Sequence, residues 1–99
     1  MSKQDRFKEY TRSVWRRSYE AYERWPPGQR DAARPTVDAL VVELRRCASE
    51  DELHACYWQS GDWPADCLRR HLRSDPGPEA LLELEETAFW LRCRELAGS

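Results

Sequence analysis

The chain has 99 residues, of which 40% are hydrophobic and 34% are charged, and its formal net charge is −2. That length leaves room for one core and excludes a second domain of useful size. No apolar stretch reaches the roughly 20 residues of a membrane span, and the polar start lacks the apolar middle of a secretory signal. The sequence therefore predicts a single globular domain in the cytoplasm.

The first helix is predicted over residues 4–25. Apolar residues recur there at helical spacing and are expected to form one core-facing stripe: Phe7, Tyr10, Val14, Ala21, Tyr22 and Trp25. Trp15 and Tyr19 are expected on one flank of that stripe. The Pro-Pro-Gly sequence after Trp25 should end the helix, because it removes two amide donors and adds a flexible residue.

The second helix is predicted over residues 35–48, since a proline such as Pro35 suits the first turn of a helix and interrupts a helix interior. Its core face keeps the i, i+3, i+4, i+7 spacing: Val37, Leu40, Val41, Leu44 and Cys47. A third helix is predicted over residues 50–60. It follows a capping box in which the Ser49 hydroxyl accepts from the Glu52 amide, and Gly61 is placed for a left-handed cap.

The fourth helix is predicted over residues 63–73, with Asp62 as its cap and Pro64 in its first turn. The fifth is predicted over residues 78–97, and its apolar residues spread over more than one face, which is typical of a helix packed on two sides. No alternating apolar and polar run indicates a strand. The predicted fold is all-α, a compact bundle of about five helices in a single domain.

Residues in a recognisable catalytic arrangement are missing from the sequence. It contains no phosphate-binding glycine loop, no H-E-x-x-H zinc motif and no G-x-S-x-G nucleophile motif, so we expect neither an enzyme nor a cofactor. Cys67 and His71 have the i, i+4 spacing of half a zinc site, which is a weak alternative because the remaining ligands are missing. The four cysteines form no C-x-x-C pair, and buried, inert thiols are expected.

Five tryptophans and four tyrosines are the most distinctive feature of the composition. Most should fill the core, but some lie beside the Gly61 turn or toward the edges of apolar stripes. These are the candidate partner-binding residues: Trp15, Tyr57, Trp58, Trp63 and Trp90. Exposed aromatics near arginine are typical of protein interfaces. The leading hypothesis is a non-enzymatic adaptor, regulatory subunit or homo-oligomer that binds another protein or itself.

Arginine side chains support a second hypothesis, nucleic-acid binding. Residues 1–30 carry eight basic and four acidic side chains, and the rest of the chain carries eight and fourteen. The candidate phosphate-binding residues lie on one edge of the first helix and on the fourth helix: Arg6, Arg17, Arg24, Arg69, Arg70 and Arg73. The negative net charge and the acidic residues among these arginines make this the second choice.

Overall fold

The computed structural model describes residues 3–98. These residues form five helices and no strand: α1 (Lys3–Glu23), α2 (Pro27–Leu44), α3 (Glu50–Gln59), α4 (Trp63–His71) and α5 (Pro78–Gly98). The predicted all-α bundle in a single domain is confirmed. Within the described residues, none of the helices combines the length and the apolar character needed to cross a bilayer.

The central helix of the bundle is α5, which packs against each of the other four helices. Two contacts show that α1 runs antiparallel to α5. Trp25, just after the end of α1, donates a hydrogen bond to Glu83 near the start of α5. Trp15, in the middle of α1, stacks on Phe89 in the middle of α5. A helix packed on several sides must be apolar around much of its circumference. This explains why the apolar residues of α5 are spread over more than one face.

The buried face of α1 differs from the predicted stripe. Thr11, Trp15 and Tyr22 are buried, whereas Phe7 and Tyr10 are exposed. At about 100° per residue, the buried face is turned toward Trp15 and away from Tyr10. Thr11 can lie in the core because its hydroxyl donates to the Phe7 carbonyl one turn earlier, at 3.0 Å. The prediction was wrong because hydropathy favours a phenylalanine or tyrosine over a threonine.

The second helix begins earlier than predicted and continues through Pro35, so the predicted start at that residue was wrong. Pro27 occupies its first turn, and Leu44 is its last residue. Pro35 deprives the carbonyl one turn earlier of its helical donor and ordinarily costs about 3 kcal/mol in a helix interior. Ala33 and Thr36 on either side of it are buried, and packing of this face favours a continuous helix.

The capping box of α3 is present. Ser49 Oγ accepts from the Glu52 amide at 3.2 Å, and the Glu52 carboxylate accepts from the Ala48 amide at 2.9 Å. Gly61, between α3 and α4, has a φ of +60°, the left-handed conformation predicted for it. Asp62 makes no side-chain capping bond, contrary to the prediction. Its backbone is helical, whereas a capping residue has an extended backbone.

Candidate protein-docking surface

The five aromatic residues predicted to bind a partner differ widely in exposure. Trp15 is completely buried and belongs to the core, so its prediction as a partner-binding residue was wrong. Tyr57, Trp63 and Trp90 are half-buried, and Trp58 is 52% exposed. Of these five, Trp58 is therefore the residue best placed to touch another molecule.

An exposed aromatic surface lies where α1 meets α3. It consists of three side chains, Phe7, Tyr10 and Trp58, which are 50%, 60% and 52% exposed. The rings of Phe7 and Trp58 contact each other, with centroids 5.2 Å apart and planes tilted by 33°. Tyr10 follows Phe7 by three residues, which makes the two side chains neighbours on α1. We call these three residues the aromatic surface.

The aromatic surface continues inward as a series of ring contacts. The Trp58 ring lies 4.9 Å from the Tyr57 ring, and the Tyr57 ring lies 5.4 Å from the Trp15 ring. Trp15 in turn stacks on Phe89 of α5, with centroids 5.4 Å apart. Such contacts fix the orientation of each ring. Trp15 and Tyr57 therefore lie beneath the aromatic surface and contact it through the Tyr57 ring, while Trp58 is exposed to solvent.

A buried carboxylate anchors Tyr57 beneath this surface. Glu86 of α5 is 5% exposed and accepts hydrogen bonds from the Tyr57 hydroxyl and from Ser18 Oγ, the latter at 2.7 Å. Burial and the Glu86 carboxylate raise the pKa of Tyr57, so its hydroxyl remains a donor. Burial, Glu86 and Asp62 raise the pKa of Glu85 to about 7.

Two ion pairs join α1 to the start of α3 beside the aromatic surface. Lys8 pairs with Asp51, and Arg12 Nε lies 3.2 Å from Glu50 Oε1. The Lys8 ammonium lowers the pKa of Asp51. Pairs this exposed add little stability. They lie in the same part of the molecule as the contact between Phe7 and the Trp58 ring.

Some exposed arginines of α1 and of the residue that follows it form no ion pair with the residues that the structure describes. Within residues 3–98 no ion-pair partner is found for three arginines, Arg6, Arg17 and Arg24, which we call the arginine edge. By contrast, Arg16 on the same helix pairs with Glu20 at 3.7 Å. Arg6 and Tyr10 line one shallow depression of about 610 Å³ together with Trp90. Of the arginine edge, Arg6 therefore lies beside the aromatic surface, whereas Arg17 and Arg24 follow about 10 and 21 Å further along the helix axis from Tyr10.

The arginines predicted on the fourth helix belong to other surroundings. Arg69 pairs with Asp66 at 3.2 Å, Arg70 lies beside Cys67, and Arg73 lies beyond the end of α4. α4 packs against α2 and α5 and shares at most marginal contact with α1. The two sets of arginines are therefore carried by helices that do not pack together.

The suggested half of a zinc site is split between the core and the surface. Cys67 is buried, whereas His71 is exposed at the end of α4. In the part of the chain that the structure describes, no three histidine, cysteine or acidic side chains are grouped as metal ligands. This pair thus lacks the further ligands that zinc requires.

A groove of about 1260 Å³ lies at the C-terminal end of α1. Its apolar lining comes from four segments of the chain and includes Trp25, Pro26, Pro35, Leu72, Pro76 and Pro78. Trp25 Nε1 donates to Glu83 Oε2 at 2.9 Å, which holds the indole at one wall. Trp25, which is half-buried, is the tryptophan of its lining, and Arg73 also lines the groove.

Phe7 and Tyr10 were missed by reasoning from the sequence. Thr11, Trp15 and Tyr22 follow one another at the i, i+4, i+11 positions of a single helix face. That spacing was the available signal that Tyr10 lies outside the buried stripe, whereas Phe7, four residues before Thr11, lies close to the same face and its exposure had no such signal. Comparison of the chain with models of known protein families, with characterised proteins and with solved structures gave no match.

Proposed function

We propose that this chain is a small non-enzymatic binding protein whose aromatic surface docks a short acidic segment of another protein. The observation that carries the proposal is the exposed pair of Phe7 and Trp58, which remains in ring contact with the core through Tyr57. Rings already fixed in place lose little conformational entropy on binding, which is a property of interface anchors.

The size of the aromatic surface favours a short segment as the occupant. An aromatic side chain buries about 150–250 Å², so three that are half exposed offer roughly 250–400 Å². A standard interface needs about 800 Å² from each partner. The aromatic surface and the adjoining arginines together reach the range of a weak or transient interface, and fall short of what a stable dimer of this chain would need.

Charge favours an acidic partner over a second copy. Arg6 of the arginine edge lies beside Tyr10, Arg17 and Arg24 follow further along the chain, and none of the three forms an ion pair among residues 3–98. In a two-fold dimer through α1 these cations would face one another, and facing like charges are unfavourable. An acidic segment would supply the missing carboxylates.

Nucleic acid is a less favourable occupant of the same face. Lys8, Arg12 and Arg16 are already paired with acidic side chains, and exposed Glu9 lies in the depression beside Arg6. A phosphate-binding surface needs a more uniform positive charge.

The proposal is tested by selecting peptides from a random displayed library on the immobilised full chain. We expect enrichment of peptides that combine acidic with aromatic or large aliphatic residues. Their affinity should fall at least about tenfold in Trp58→Ala, as for other interface anchors. Affinity should also fall in Arg6→Glu and as the salt concentration rises.

Matched controls come from exposed residues on other helices. Val42 of α2 and Leu82 of α5 are 57% and 49% exposed, and their alanine variants should bind like the wild type. Arg70→Glu is the charge-reversal control. The proposal would be overturned if no acidic peptide were enriched, if Trp58→Ala bound normally, or if the chain bound oligo(dT) or itself more tightly than any selected peptide.

A further inference from the structure

The helix that carries Trp58 is anchored in the core by few side chains. Leu53 and His54 are the buried residues of α3, and its other residues are half-buried or exposed. His54 is 6% exposed, and its ring packs on the indole of Trp15, with centroids 4.7 Å apart. One of the two buried side chains that attach α3 to the bundle is therefore an ionisable group.

The imidazole of His54 is buried without a hydrogen bond. Among residues 3–98, neither of its ring nitrogens has a hydrogen-bond partner. The carboxylate of Glu50, one turn earlier on α3, has its Oε1 atom 3.6 Å from Nε2, which is beyond hydrogen-bond distance. Such a site suits a neutral imidazole better than a charged one, because an imidazolium needs acceptors for two N–H groups.

Glu50 is already engaged in contacts with two other helices. Its Oε1 atom lies 3.2 Å from Arg12 Nε of α1 and accepts a hydrogen bond from the Cys93 thiol of α5 at 3.4 Å. A protonated His54 would compete with Arg12 for the same oxygen. Protonation therefore acts at the place where α1, α3 and α5 meet.

The charged groups near His54 come from α1 and α3. Lys8 and Arg12 oppose a positive charge on its ring, whereas Glu50 favours one. Asp51 is paired with Lys8. Burial lowers the pKa of His54, and this effect outweighs that of Glu50. A histidine in water has a pKa of about 6.5, so His54 takes up a proton more readily when α3 leaves the core.

We propose that His54 is an acid-sensitive switch whose protonation releases α3 from Trp15 and thereby separates the two halves of the aromatic surface. Those halves lie on different helices, with Phe7 on α1 and Trp58 on α3. Release takes up one proton, so the ratio of released to packed α3 rises by at most about tenfold for each pH unit below about 6.5. The consequence for peptide binding rests on the proposed function, whereas the release itself does not.

Cys93 reports the release of α3, because its buried thiol touches Glu50, whereas the equally buried Cys67 lies on α4. The reduced full chain is treated with a pyridyl disulfide, which labels thiols in acid as well as at neutral pH. Cleavage before aspartate separates the two labels, with Cys67 in residues 66–74 and Cys93 in residues 75–99. We expect the ratio of the Cys93 labelling rate to the Cys67 rate to rise about five- to tenfold from about pH 7 to about pH 5.5.

Variants of both histidines assign the effect. The ratio should not change with pH in His54→Phe, which keeps a ring against Trp15, or in His54→Gln. His71→Gln is the matched control, because His71 is exposed at the end of α4, and it should behave like the wild type. The proposal would be overturned by a constant ratio in the wild type, which includes global unfolding that exposes both thiols together, or by an equal rise in the His54 variants. No peptide is present, so the ratio should rise even if peptide docking fails.

Discussion

Replacing Tyr57 with phenylalanine removes one hydroxyl group and leaves the Glu86 carboxylate with one donor fewer. Glu86 is 5% exposed, and its carboxylate accepts hydrogen bonds from the hydroxyls of Tyr57 and Ser18. Neither donor carries a charge. The negative charge is therefore stabilised by neutral hydrogen bonds, and the loss of one of them exposes the carboxylate's desolvation cost.

A hydrogen bond to a charged group contributes about 1.5–3 kcal/mol. We expect Tyr57→Phe to lower the free energy of unfolding by about 2 kcal/mol, and the Tm by roughly 10 °C for a domain of this size. In a Glu86→Gln background the same substitution should cost about 1 kcal/mol less, because the buried acceptor is then neutral.

Urea unfolding followed by circular dichroism measures the free energy of unfolding of Tyr57→Phe, both alone and in the Glu86→Gln background. Tyr10→Phe is the matched control, because Tyr10 is 60% exposed and its substitution should change stability by less than about 0.5 kcal/mol. Equal losses in the two tyrosine variants would refute this reasoning. So would strictly additive effects of Tyr57→Phe and Glu86→Gln.

Three further predictions concern stability. Ser49→Ala should lower the free energy of unfolding in urea by about 1 kcal/mol, because it removes the acceptor for the Glu52 amide. Ser74→Ala should leave that free energy unchanged, and equal losses in the two variants would contradict the capping role of Ser49. The pKa of Glu85 rises from 4.5 to about 7 on folding, so stability should fall as the pH rises between those values, and Glu85→Gln should flatten that slope. Burial lowers the pKa of His54 below 6.5, so stability should also fall as the pH drops below 6.5; a slope unchanged in His54→Asn would exclude this.

Much of the fold could be predicted from the sequence, because the starts and ends of several helices are determined by a few neighbouring residues. The Ser49 capping box and the turn at Gly61 each depend on a few consecutive residues, and both are present. The continuation of α2 through Pro35 could not be predicted from local signals. Whether a helix tolerates an internal proline depends on packing of the residues around it, which is a tertiary property.

The candidate docking surface was predicted only in part, because the exposure of a side chain also depends on tertiary packing. Trp58 lies on the surface as expected of a partner-binding residue, whereas Trp15 lies in the core. Phe7 is exposed although it precedes the buried Thr11 by one helical turn, and which turns of a helix are covered by other helices is known only from the packed structure.

The most direct test of the docking proposal follows the five indole N–H signals of ¹⁵N-labelled protein during titration with a selected acidic peptide. Each tryptophan contributes one signal, so each region reports separately. We predict the largest shift for Trp58, and little change for Trp25 in the groove or for Trp15 in the core. A largest shift at Trp25, or no shift at Trp58 when the peptide is bound, would contradict docking on the aromatic surface.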